Sequence, residues 1–260
     1  MISSAATITI PDEEGSSYTV PAISGADGIV IAALGDSITE GYHGRGFLLD
    51  HTDLRQEDFP PDVVSRNGFN FPQFASTARI HNPAVNCFAG FLLELNDLLN
   101  FPRLLIANEG IGGITSGGYL DKVRHDTGWQ RRMDLLRPGW WLVHLGVNDG
   151  RAAVTPERFA GNMRALLELL VTRWGARPER IFVAKPCYDY EAGYAALLER
   201  YCDEVDAMVN DRLGLAGPDF FAAYRTGKAR YYGDDPVHPN AAGMTRMAHL
   251  WHQILRSHIR

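Results

Sequence analysis

Hydrophobic positions along the chain follow two rhythms that take turns. Short apolar runs occur at Ile29–Leu34, Arg103–Asn108, Trp140–Leu145, Ile181–Ala184 and Phe220–Tyr224. They are rich in β-branched or aromatic residues and too short for typical helices, so they read as strands, the continuous ones buried on both faces. Between them the apolar residues return at helical spacing. From Asn86 to Leu99 the stripe is Phe88, Phe91, Leu92, Leu95, Leu98 and Leu99. A second helix runs from about Gly118 to Leu136 and stops at Pro138-Gly139. A third opens at Thr155-Pro156, hydroxyl cap then proline, and reaches about Trp174. A fourth covers 191–213, and the last opens after Asn240 with the stripe Met244, Met247, Ala248, Trp251, Ile254 and Leu255.

Strands that alternate with helices to the end of the chain predict an α/β fold, a mainly parallel sheet with helices on both faces. There is no internal repeat, low-complexity tract or linker, so residues 1–260 read as one domain. Two features depart from the alternation. Residues 1–25 form an N-terminal arm, with short strands at 5–10 and 17–20 around the turn Asp12-Glu13-Glu14-Gly15. Residues from about 43 to 80 form an insertion holding Pro60-Pro61 and five phenylalanines. Connections of that length are often lids or binding loops; the alternative is an insertion that packs its aromatics on the sheet or on another subunit, the latter making a homo-oligomer.

Composition narrows the function classes. Of 260 residues 45% are hydrophobic and 22% charged, enough for a full core. A net charge of -6 with scattered Lys and Arg argues against a nucleic-acid partner. No apolar run approaches the ~20 residues of a membrane span, and the start Met1-Ile2-Ser3-Ser4 lacks the pattern of a signal peptide, so the cytoplasm is the expected compartment. Cys87, Cys187 and Cys202 make an odd count without a Cys-x-x-Cys pair, which speaks against a disulfide framework or zinc cluster.

The candidate chemistry lies at the strand ends. Ser37 follows the Ile29–Leu34 run in Gly35-Asp36-Ser37, past a strand's carboxyl end, where open α/β sheets bind ligands. Such a triplet is also an ordinary turn or helix cap, and Asp36 reads as a backbone-bonding turn residue. What raises Ser37 is the rest of the chain. Acyl transfer to water needs a nucleophile, a base, a group that orients the base, and donors for the oxyanion. His238, before the last helix, is the candidate base, because a helix N-terminus disfavours imidazolium. Asp235, three residues earlier, is placed to orient it. The backbone N–H groups of Ser37 and Gly113 and the amide of Asn148 are the candidate oxyanion donors.

These segments resemble the SGNH (GDSL-type) serine hydrolases. Gly35-Asp36-Ser37-Ile38-Thr39-Glu40-Gly41, Asn108 to Ser116, Gly146-Val147-Asn148-Asp149 and Asp235-Pro236-Val237-His238-Pro239-Asn240 match that family's four blocks in order. The resemblance implies a flavodoxin-like fold with strand order 2-1-3-4-5, which sets strands 1 and 3 together at the switch point. It implies a serine esterase needing no cofactor or metal, acting on small-molecule or carbohydrate esters, with short acyl groups or acetylated sugars favoured. Gly110, Gly112 and Gly113 crowd one turn, so the donor glycine is open among them.

Other candidates read less well. Gly110-Ile111-Gly112-Gly113 has Thr115 where a dinucleotide loop needs its last glycine. His249 and His252 share a helix face with no nearby carboxylate in sequence, and His43, His51 and His81 lie in or beside the insertion. Rival functions are a catalytically silent carbohydrate-binding or scaffold protein on the same fold, and an acyltransferase or phosphodiesterase that uses the same serine.

Overall fold

The computed structural model describes residues 7–11, 17–21, 28–41, 90–101 and 104–259. Two strands, β1 (Thr7–Pro11) and β2 (Ser17–Pro21), pair antiparallel as a separate ribbon, with Thr9 opposite Thr19. The remaining strands are β3 (Ile29–Gly35), β4 (Leu104–Gly110), β5 (Trp140–His144), β6 (Ile181–Lys185) and β7 (Leu215–Asp219). They form one parallel five-stranded sheet in the order β4-β3-β5-β6-β7. Counted along the chain within that sheet, the order is 2-1-3-4-5, the predicted flavodoxin-like arrangement.

Helices cover both faces, and the strand side chains alternate between them. Val30, Ala32 and Leu34 of β3 face a core built with α3 (Ser116–His125), α4 (Thr127–Leu136), α6 (Pro156–Trp174) and α7 (Ala195–Asn210). Ile31 and Ala33 face the other core, built with α2 (Phe91–Leu99) and α10 (Ala241–Leu255). Short helices α1 (Ser37–Glu40), α5 (Val147–Arg151), α8 (Phe220–Tyr224) and α9 (Lys228–Tyr231) follow strands or lie before α10. Each fully buried Leu, Ile or Phe contributes about 1.5–3 kcal/mol of transfer free energy. That explains why the central strands carry almost no polar residue before their ends. No helix among the described residues is long and apolar enough to cross a membrane.

Two elements differ from the sequence expectation. The segment Phe220–Tyr224 is not the fifth strand but helix α8, because Asp219 caps it by accepting from Ala222 N at 2.8 Å and buries Phe220, Phe221 and Tyr224 together. The fifth strand is the preceding Leu-Ala-Gly-Pro-Asp, which has no β-branched residue. An edge strand tolerates Pro218, and Gly217 admits the backbone of β6, since a Cβ there would stand 2.7 Å from Ala184 N. The predicted helix from Gly118 to Leu136 is two helices, broken at Asp126, which ends α3 and caps α4 by accepting from Trp129 N. The insertion at about 43–80, residues 86–89 of the predicted first helix with Cys87 and Phe88, and His43, His51 and His81 lie outside the described residues.

Candidate active site

Register brings the site together before any side chain is considered. Gly35 of β3 pairs with Gly110 of β4 on one side and with His144 of β5 on the other, so three strands end level. Their next residues are Asp36-Ser37, the 111–115 loop, and the turn into α5 that carries Asn148. Ser37 opens α1 as its first residue, and Asp36 is the cap, its Oδ1 accepting from Ile38 N at 3.0 Å. The hydroxyl of Ser37 is thereby held half-buried at the sheet edge.

The partner of that hydroxyl comes from 201 residues away. His238 Nε2 lies 2.9 Å from Ser37 Oγ. On its far side, Nδ1 lies 3.0 Å from Asp235 Oδ2. Asp235 also shapes the loop, its Oδ1 accepting from Val237 N at 2.6 Å and His238 N at 2.8 Å. Ring and loop are set by the same carboxylate, and the loop then enters α10 through the cap Asn240, which accepts from Gly243 N. Three residues named from sequence, Ser37, Asp235 and His238, therefore form one hydrogen-bonded line.

The 111–115 loop and α5 leave the two strand ends that flank Gly35. Gly110, one of the three glycines left open, is filled by backbone: a Cβ there would stand 2.2 Å from Glu40 N, and its own N–H donates to Asn108 Oδ1. At Gly112 a Cβ would come within 2.9 Å of Glu40 Oε2. Gly113 is different. It is exposed, adopts φ +74°, and a Cβ would meet nothing within 4 Å among the described residues. The left-handed backbone favours glycine, and the open space lets a ligand approach the peptide. Asn148 is half-buried and donates from Nδ2 to Ile114 O at 2.9 Å, which spends one of its two amide hydrogens and ties α5 to the same loop.

Residues that the sequence reading passed over brace this arc. Asp149 is fully buried and accepts from Ser116 N at 2.8 Å and Ser116 Oγ at 2.5 Å, while Asn162 Nδ2 donates to Ser116 Oγ at 3.0 Å. Burial raises the Asp149 carboxyl above its ordinary value, and the two bonds from Ser116 oppose the rise. Asp36 is pushed further, from 3.8 to about 7, first by burial and then by the nearby charge of Asp149, with the Ile38 bond opposing. His144, at the end of β5, is buried against the edge of Phe220 at 4.9 Å, and burial lowers it from 6.5 to about 3. It is a neutral core residue. Cys187 and Cys202 are buried thiols, both raised chiefly by burial, which removes thiolate character.

His249, expected to have no nearby carboxylate, has one: α2 brings Glu94 Oε1 to 3.6 Å from its Nε2, a pairing that only helix packing creates. Among the described residues no group of three or more His, Cys, Asp or Glu is placed to hold a metal ion.

Comparison with known proteins agrees with the architecture. No curated protein matches the chain. Solved structures do. A lipase/acylhydrolase from Enterococcus faecalis superposes with a TM-score of 0.57 at 15% identity, covering 89% of this chain and 97% of its own. An acetylxylan esterase from Geobacillus stearothermophilus gives 0.58 at 18% identity over 87% and 93%. An α/β hydrolase enzyme from the metagenome of Lake Arreo, Spain, gives 0.57 at 20% identity over 86% and 93%. At these identities the likeness is one of fold. The profile of the GDSL-like lipase/acylhydrolase family, by contrast, matches residues 33–246, a span that takes in all four segments around the Ser37–His238 line. The chain therefore belongs to the GDSL-like lipase/acylhydrolase family and is a carboxylic ester hydrolase.

Proposed function

We propose that the chain is a serine esterase that cleaves short-acyl esters, acetylated carbohydrates among them, through an acyl-enzyme on Ser37. The observation that carries this reading is the continuous line from Ser37 Oγ through both ring nitrogens of His238 to Asp235, at 2.9 and 3.0 Å. Ser37 Oγ attacks the ester carbonyl carbon while its proton passes to His238 Nε2. The imidazolium so formed is held by Asp235 at Nδ1. Collapse of the tetrahedral species breaks the bond to the alcohol oxygen, which takes the proton from Nε2. Water then repeats the sequence on the acyl-enzyme, releasing the acid and returning the proton to Ser37. The negative charge that develops on the carbonyl oxygen is met by the N–H groups of Ser37 and Gly113 and by the second amide hydrogen of Asn148.

The acyl preference rests on two supports. Gly113 is exposed and, among the described residues, its surroundings are open, as suits a shallow acyl site, and one structural neighbour is an acetylxylan esterase. An organophosphonate should label Ser37, as read by peptide mass spectrometry. A series of aryl esters should show the highest kcat/KM at acetyl and a decline as the acyl chain lengthens, with acetate released from acetylated xylan. An unlabelled Ser37 in folded protein would remove the nucleophile from the proposal, and rates that climb with chain length would remove the short-acyl preference. Acetyl transfer to a sugar acceptor in place of water would make the protein a transferase.

A further inference from the structure

One segment near the site belongs to none of the four motif blocks: the loop after β6, residues 186–194. At its centre Asp189 is buried, its side chain fully so, and it pairs with Arg151 of α5. Arg151, three residues after Asn148 on α5, donates to it from Nε at 2.9 Å and Nη2 at 3.4 Å. The same guanidinium reaches Glu191 at 2.5 Å and lies over the ring of Tyr194 at 5.2 Å. Asp189 Oδ1 also accepts from Glu191 N at 2.8 Å, which tightens the loop about the carboxylate. The next residue makes the connection that matters. Tyr190 N donates to Pro236 O at 2.8 Å, inside the segment between Asp235 and His238.

We propose that Asp189 is a positioning residue: gripped by Arg151, it holds the Tyr190 peptide against Pro236 and so keeps the loop of Asp235 and His238 in register with the helix of Asn148. This rests on the roles assigned above to those residues. The physical case is that α5 and the 235–238 loop follow different strands, β5 and β7, and the 186–194 loop touches both. Asp189 joins them through one buried charged pair and one peptide hydrogen bond. Bonds to a charged group are shorter and stronger than neutral ones, and a planar guanidinium fixes direction as well as distance. Displacement of a reacting group by about 1 Å costs about 10²-fold in rate, so a brace at this position bears on turnover without touching substrate.

The test uses the full chain with Asp189→Ala, Asp189→Asn and Arg151→Met, p-nitrophenyl acetate as the ester, and amide hydrogen exchange at Tyr190, Val237 and His238. Asp189→Ala should lower kcat about 10- to 100-fold with KM changed less than about threefold, and should speed exchange at all three amides. Asp189→Asn, which keeps an acceptor for Arg151 and for Glu191 N, should recover part of both. Arg151 is a third exposed along its side chain, at 32%, so Arg151→Met tests the same tie if Asp189→Ala does not fold. A lowered melting temperature with kcat and exchange unchanged would make Asp189 merely structural and overturn the proposal. So would a fall in kcat without faster exchange. Ser37→Ala run alongside separates the two ideas: if it keeps full turnover, the assigned chemistry fails, while exchange at Val237 and His238 still decides whether Asp189 holds the loop.

Discussion

Two buried aspartates stand beside the site, one on each side of it, and they do different work. Asp36 precedes Ser37, and Asp149 follows Asn148. Both are almost wholly buried and both are raised by burial. Asp149 has a bond on each oxygen, from the backbone and hydroxyl of Ser116, so it acts as a brace between the Gly113 loop and α5. Asp36 has one oxygen on Ile38 N, while Oδ2 finds no hydrogen-bond partner among the described residues. A carboxylate with both oxygens bonded can stay ionised in a core, whereas one left half-bonded gains by holding a proton. Adjacency to a site residue in sequence therefore says little about role, and the number of donors aimed at the carboxyl says much.

The largest effect that sharpens this contrast is at the residues the aspartates flank. Ser37→Ala should abolish turnover of an acetyl ester, and Asn148→Ala should lower kcat by about 10²–10³ with KM little changed, because the proposed nucleophile is indispensable and one of the proposed oxyanion donors is not. Equal losses at the two positions would erase the distinction between the two sides. Next is the brace. Asp149→Ala leaves the buried N–H of Ser116 unpaired and should cost about 1–3 kcal/mol in denaturant unfolding. Added to Asn148→Ala, it should cost little further activity, since both act through the same arc; full additivity would show that Asp149 works elsewhere.

The remaining effect belongs to Asp36 and depends on pH. Between 3.8 and about 7 the native carboxyl holds a proton that the unfolded chain has released, so stability falls as pH rises through that window. The slope is at most about 1.4 kcal/mol per pH unit. Asp36→Asn keeps an acceptor for Ile38 N and has no charge to bury. Compared with the parent it should gain stability at about pH 8 and gain little at about pH 4. A gain that is the same at both pH values would mean that Asp36 does not titrate in the fold.

Parts of this molecule could be read directly from the residues. Ile29–Gly35 is legible as a central strand because a parallel strand is covered on both faces and must be apolar throughout, and the cap residues Thr155 and Asn240 mark their helices by local chemistry alone. Ser37, Gly113, Asn148, Asp235 and His238 could each be nominated because each lies at a turn with a recognisable neighbour. Leu215–Asp219 could not be read as a strand, since an edge position relaxes the demand for β-branched residues and the more apolar Phe220–Tyr224 drew the assignment. Asp149 and Asp189 were illegible for another reason. Their partners, Ser116 and Arg151, lie 33 and 38 residues away and follow no periodicity.

By itself, then, the sequence determined what depends on neighbours along the chain: strand and helix rhythm, caps, turns and the residue types available for acyl transfer. Tertiary structure alone decided what depends on distance through space. Among the described residues it set Ser37 at 2.9 Å from His238, filled the space at Gly110 while leaving it open at Gly113, and brought donors to both oxygens of Asp149 but to only one of Asp36. The reason is physical. Local propensities act over a few residues, whereas hydrogen-bond geometry and burial are set by the level ending of three strands whose end residues Gly35, Gly110 and His144 are 75 and then 34 residues apart.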